Sequence, residues 1–306
     1  MNIVNTIIPI FVVIALGWVA RKKNWMPDTF VDPANRLVYY MAIPAMIFKA
    51  ISRTPLKANI NISVLVITLM SVSVTALLVW PASRLMKVRT ARGTFIQSSL
   101  HGNLGYIGLA VSFYYLGREG FAKSGLIVGF LMILQNFLSV VALQFYSAGN
   151  HKDTQSFRIT AEKILRNPVI LSAMTGIVFS MFELEIPSVI DRILGIISSF
   201  ALPLALLIIG ATLSFKVVRA RPVLLCSSAV FKLIILPGIG FHLFRVFDLS
   251  RDAFLPALIL LAAPTATIAC IMAKEMNGDI DFAVAAVSLN TLLSAFTYTW
   301  WLHLAT

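Results

Sequence analysis

Apolar stretches long enough to cross a bilayer recur along almost the whole chain, and a soluble globule cannot be built from them. A helical crossing needs roughly 20 apolar residues. Ten stretches meet that need: about 3–20, 33–51, 61–83, 94–116, 124–147, 168–183, 187–213, 222–244, 253–273 and 281–302. With 58% hydrophobic and only 12% charged residues, the 306-residue chain lies far from the near one-half and one-quarter shares of soluble domains. The expected fold class is therefore an all-α polytopic membrane protein with ten transmembrane helices.

The chain also nearly repeats itself. Pro9 and Gly17 return as Pro168 and Gly176, shifted by 159 positions, and Ala42-Ile43-Pro44-Ala45 returns as Ala201-Leu202-Pro203-Leu204 with the same shift. Pro81 is answered by Pro237, and Gln135-Asn136-Phe137-Leu138-Ser139 by Asn290-Thr291-Leu292-Leu293-Ser294. Five crossings per repeat is an odd number, so the two halves must run with opposite topology. The expected organisation is a first five-helix repeat at 1–147, a cytoplasmic linker at 148–167 and a second, inverted repeat at 168–306. Inverted repeats of this kind mark secondary transporters, whose substrate site lies where the repeats meet.

A net charge of +12 would suit a nucleic-acid binder, but the cations follow loop parity instead. Loops after odd-numbered stretches carry fifteen Lys and Arg, from Arg21, Lys22 and Lys23 to Lys274, whereas those on the other side carry seven. The positive-inside rule then places both termini outside the cytoplasm of an inner (plasma) membrane. Nucleic acid is not an expected partner. The two cysteines, Cys226 and Cys270, fall inside apolar stretches, where they are expected to pack as small hydrophobes rather than pair.

The chemistry concentrates at two interruptions. In the fourth stretch, Leu100-His101-Gly102-Asn103-Leu104-Gly105-Tyr106-Ile107-Gly108 sets three glycines close together, each weakening a helix by roughly 1 kcal/mol relative to Ala. In the ninth, Ala262-Ala263-Pro264-Thr265-Ala266-Thr267 removes a backbone donor and adds two hydroxyls. Non-helical backbone at membrane depth is tolerated only where protein or a watery cavity surrounds it. Broken helices at corresponding places of inverted repeats present free amides and a partial positive charge to an anion. The candidate substrate-binding residues are therefore Asn103, Gly105, Tyr106, Pro264, Thr265 and Thr267, with the amides Gln135, Asn136 and Asn290 of the fifth and tenth stretches. Lys232 lies deep in the eighth stretch, too far from either end to snorkel fully, and must face a cavity or a partner. His101 adjoins the first break and belongs with Lys232 as a coupling or supporting residue.

At this point the residues resemble a known family. His101 to Ala110, His-Gly-Asn-Leu-Gly-Tyr-Ile-Gly-Leu-Ala, is similar to the Asn-centred motif of the auxin efflux carriers. Phe231-Lys232-Leu233-Ile234-Ile235-Leu236-Pro237 resembles that family's eighth helix, and Ala262-Ala263-Pro264 with Met276-Asn277-Gly278-Asp279 its ninth helix and following loop. The resemblance implies a crossover fold of the NhaA type with broken helices 4 and 9, a scaffold domain and a transport domain that move relative to each other. It also implies carriage of small organic acids, auxin-like or dicarboxylate, and the short central linker is that of a bacterial member.

Two other readings compete. A sodium-coupled symporter of the bile-acid type would share the architecture. A membrane-embedded enzyme would need acids, nucleophiles or metal ligands in the core, whereas every Asp and Glu lies in a loop or at a stretch end and no HExxH occurs. No catalytic residue, metal or cofactor is expected. The expected partners are a small organic anion and the lipid bilayer, and a homodimer is compatible with the pattern.

Overall fold

A computed structural model describes residues 3–53, 61–84, 86, 88–146, 166–215 and 221–306. Most of the linker expected at 148–167 lies outside the described residues. The described chain is helical: α1 (Ile3–Lys22), α2 (Asp28–Leu37), α3 (Ile43–Ser52), α4 (Ile62–Ser83), α5 (Arg89–Leu100), α6 (Leu109–Tyr146), α7 (Pro168–Met181), α8 (Ser188–Ser199), α9 (Ala201–Thr212), α10 (Pro222–Val230), α11 (Leu236–Val246), α12 (Arg251–Leu261), α13 (Ile268–Glu275) and α14 (Ile280–Leu304). Among the described residues, six helical runs are long and apolar enough to cross a membrane: Ile3–Lys22, Ile62–Ser83, Leu104–Tyr146, Ser188–Thr212, Pro222–Val246 and Ile280–Leu304. The difference from ten has a local cause. Stretches 94–116 and 253–273 are split at their interruptions, and the apolar helix Pro168–Met181 has only 14 residues. The end of stretch 94–116 and stretch 124–147 fall together in the 43-residue run Leu104–Tyr146, which turns sharply at Gly117, and stretch 33–51 is not among the six.

Three helices contain a widened π turn, at Val38–Ala42, Leu104–Gly108 and Phe231–Ile235. Two of them are the work of proline. Pro44 and Pro237 each stand at the second residue after such a turn, and a proline ring cannot receive the carbonyl four residues back. Opening the preceding turn relieves the clash and leaves a carbonyl unclaimed. For Pro237 that carbonyl is Leu233 O, and the indole Nε1 of Trp301 donates to it at 2.8 Å.

The chain forms two compact units, each drawn from both sides of the expected linker. The first comprises Met1–Asn61, Gly105–Gly129 and Glu162–Thr212, and the second Ile62–Leu104, Phe130–Ala161 and Leu213–Thr306. Glycines decide how closely the helices of the first unit approach. A Cβ on Gly17 would sit 2.1 Å from Leu207 O, and one on Gly210 would sit 1.8 Å from Ile14 O, so α1 and α9 touch backbone to backbone. Gly176 of α7 lies against Ile51 and the carbonyl of Phe48 of α3. Gly17 and Gly176 thus each let one helix of this unit approach another closely.

The second unit is built round an apolar core in which Phe95, Ile96 and Leu100 of α5 meet Ala76 and Val79 of α4, Leu225 of α10 and Phe282, Ala285 and Ala286 of α14. This core holds the C-terminal end of α5 in place, where the first interruption begins.

Candidate functional site: two helix breaks that meet

Helix α5 ends at Leu100 and helix α12 at Leu261, and the segments that follow run past each other in extended form. Gly102 and Thr265 pair as an antiparallel bridge. The amide of Asn103 donates to Pro264 O at 2.7 Å, and that of Ala266 to His101 O at 2.9 Å. The chain leaves this two-rung ladder through the π turn Leu104–Gly108 on one strand and through α13 on the other.

Helix ends carry unclaimed backbone groups, and buried ones must find partners. The last four carbonyls of α12 are all accounted for. Leu258 O accepts from Ala262 N and Leu260 O from Ala263 N. Ile259 O accepts from the hydroxyl of Tyr298 at 3.0 Å, and Leu261 O from Nζ of Lys232 at 2.9 Å. Lys232 is fully buried and lies in the π turn Phe231–Ile235, which aims its ammonium at the broken end of α12. A cation at a helix C-terminus is also favoured by the helix dipole. Gly102 makes room for it, since a Cβ there would lie 3.3 Å from Nζ.

The other break is tied down by side chains. Gln135 Oε1 accepts from the Gly102 amide at 2.9 Å, and His101 Nδ1 lies 3.1 Å from Ser139 Oγ. Thr265 Oγ1 donates to Ser98 O at 2.6 Å and accepts from Nδ2 of Asn290 at 2.7 Å. One network therefore joins α5, α6, the α12–α13 break and α14.

The network is not closed. Asn103 Nδ2, Gln135 Nε2, Asn290 Oδ1, Gln97 Oε1, Ser98 Oγ and Thr291 Oγ1 are buried and have no hydrogen-bond partner among the described residues. Each such atom costs roughly 1–3 kcal/mol. A group of them at one helix break is therefore a place that a ligand's polar atoms can satisfy, with amide donors for an anion and carbonyl or hydroxyl oxygens for its hydroxyls or waters.

Of the residues singled out from sequence, His101, Asn103, Lys232, Pro264, Thr265, Gln135 and Asn290 come together here. Thr267 opens α13 and is partly exposed. Asn136 turns the other way: its Nδ2 donates to Met132 O of its own helix at 2.8 Å, so one residue of helical rotation separates it from its neighbour Gln135. Gly105 and Tyr106 belong to the first unit, where the Tyr106 hydroxyl donates to Asn35 Oδ1 at 2.5 Å. The expectation missed Gln97, Ser98, Ser139 and Tyr298. A serine or glutamine one helical turn before a break is a signal that could have pointed to the first two, whereas Ser139 and Tyr298 are found only by contact.

The long apolar helices among the described residues make this chain a multi-pass helical membrane protein. Residues 2–302 match the family described as Membrane transport protein, and the chain belongs to that family, the auxin efflux carriers. Relatives cover nearly its whole length. A protein of Rhizobium meliloti named "Putative malonate transporter" is 24% identical over 99% of this chain and 96% of its own. An "Uncharacterized transporter" of Methanothermobacter thermautotrophicus is 22% identical over 98% of both. A further uncharacterized transporter, of Methanocaldococcus jannaschii, is 21% identical over 97% of both.

Proposed function

We propose that the chain is a secondary transporter that moves small carboxylates, of the dicarboxylate or auxin-like kind, across the inner membrane by alternating access. The observation that carries this reading is the pairing of the two breaks through the Gly102–Thr265 bridge, beside buried amide donors of Asn103 and Gln135 that lack partners. Half-helix N-termini and free amides favour an anionic group in a site from which water is largely excluded. The name of the Rhizobium meliloti relative supports a carboxylate as cargo.

In this reading the chain crosses the membrane ten times as two inverted five-helix repeats, 1–147 and 168–306 joined at 148–167, in an NhaA-like crossover with both termini outside. The equivalent packing of Gly17 and Gly176 supports the repeat, and the split stretches explain why length alone counts fewer crossings. Asn103 and Gln135 hold the anion through their free amide donors, Asn290 Oδ1 takes a hydroxyl or water beside it, and Thr265 fixes Asn290, with Pro264 and Thr267 shaping the strand between them. Gly105 and Tyr106 follow the break in the fourth helix, where the Tyr106 hydroxyl is held by Asn35. Lys232 and His101 support the crossing, and Asn136 lies at its margin.

The test is uptake of labelled malonate into proteoliposomes, joined to thermal-shift measurements with a panel of carboxylates, since a ligand stabilises the state it binds by mass action. Saturable uptake that Asn103→Ala abolishes at equal protein incorporation is the expected result. Equal uptake by the Asn103→Ala protein would overturn the site, and no carboxylate in the panel moving the melting temperature would overturn the substrate class.

A further inference from the structure

The first unit holds a cavity of about 720 Å³ that the crossing does not explain. Three elements line it: the end of α3 with Lys49 and Arg53, the turn region of α6 with Tyr114, Arg118 and Glu119, and α8 running into α9 with Ser199 among its residues. All of these residues lie in that unit.

Two glycines shape its charged wall. Gly117 has φ +70°, a conformation that favours glycine, and the chain swings there to set Arg118 and Glu119 at the cavity. Gly195 leaves space for the Lys49 ammonium, which would lie 2.9 Å from a Cβ at that position.

The carboxylates nearby are already engaged. Asp191 is held by Lys49, with Nζ to Oδ1 at 3.2 Å and Nζ to the Asp191 carbonyl at 3.0 Å, and also by Arg53. Glu119 pairs with Lys123 at 2.9 Å. Three cations, Lys49, Arg53 and Arg118, therefore line the cavity with one carboxylate, Glu119, and among the described residues Arg118 has no carboxylate partner. A concave wall with surplus positive charge concentrates anions, because the low-dielectric sides focus the field. A guanidinium also offers paired donors suited to a carboxylate or phosphate.

We propose that this cavity is a second anion-binding site, in which the Arg118 guanidinium receives a carboxylate or phosphate group against the Lys49–Asp191–Arg53 cluster. The proposal does not depend on the crossing being the transport site. Carboxylate and phosphate share this chemistry, and they could come from a free small anion or from an anionic lipid headgroup.

The experiment places Ser199→Cys in a full-length chain carrying Cys226→Ser and Cys270→Ser, reconstituted in nanodiscs. It measures modification of the new thiol by a sulfonate-bearing methanethiosulfonate and by its ammonium-bearing counterpart. The expected result is a rate ratio favouring the sulfonate, falling about fivefold on Arg118→Gln, in line with loss of one focusing charge. Malonate slowing the reaction in phosphatidylcholine nanodiscs would identify a free anion. Protection that needs phosphatidylglycerol and ignores malonate would identify a lipid headgroup.

Either protection should persist in Asn103→Ala and vanish in Arg118→Gln, which separates this site from the crossing. An unchanged rate ratio in Arg118→Gln, or no protection by malonate or phosphatidylglycerol, would overturn the proposal whether or not Asn103→Ala transports.

Discussion

The two compact units treat polar atoms in opposite ways. In the first, charges sit at an open cavity and all but Arg118 there are engaged in ion pairs, while the helices are held by glycine seams that bring backbones into contact. In the second, no ion pair among the described residues lies at the helix breaks, and uncharged amides and hydroxyls are buried with part of their bonding capacity unused. Evolution does not keep unsatisfied buried groups for stability, since each costs about as much as a lost hydrogen bond. The contrast teaches that the first unit is organised for packing and that the second concedes stability at its helix breaks, the place proposed above for the ligand.

Substitutions test that contrast. The largest effect should come from Gly210→Leu, because a side chain there meets the Ile14 carbonyl and the α1–α9 seam cannot open without unpacking. The expected outcome is loss of monodisperse protein in size-exclusion chromatography. Normal elution would mean that the first unit does not rest on its glycine seams.

Asn103→Ala should act in the opposite sense. Malonate uptake is expected to fall by about tenfold or more, the loss of one or more ligand hydrogen bonds, while the melting temperature stays level or rises because an unpartnered amide has been removed. A marked fall in melting temperature would show that the amide is structural and would break the comparison.

Lys232→Met removes the donor to Leu261 O and leaves a buried carbonyl without a partner, at a cost of about 1–3 kcal/mol. Thermal unfolding should shift downward by several degrees, and Arg, being larger and differently shaped, is not expected to restore it fully. Unchanged unfolding in the Met protein would remove Lys232 from the support of the crossing.

Tyr106→Phe tests the first unit's share of the fourth helix by deleting the bond to Asn35, with an expected loss of about 1 kcal/mol and a moderate fall in uptake rate. The same bond makes Asn35 an unsuitable control position. Asn136→Ala is the better one: its amide bonds only within its own helix turn, so stability should change by less than about 0.5 kcal/mol and uptake little. A large uptake loss there would extend the site beyond the network described.

Much was determined by sequence alone, and for a common reason. The membrane class, the place of both breaks and the anomalous depth of Lys232 depend on composition and on residues within one helical turn, as with Gly102, Gly105 and Pro264. Such local rules act without knowing which helices are neighbours. What the tertiary structure alone decided depends on rotation and on contacts across more than 100 positions. Gln135 rather than Asn136 faces Gly102 because helix α6 is turned that way by its packing, and a rotation of about 100° per residue is invisible in composition. Tyr298 and Lys232 reach the open end of α12 from separate helices. Lys49, Arg118 and Gly195 surround one cavity although no repeat or motif connects them. Hydropathy records how much surface each helix must hide, but it does not record against what, and both of the sites proposed here are made of that second kind of information.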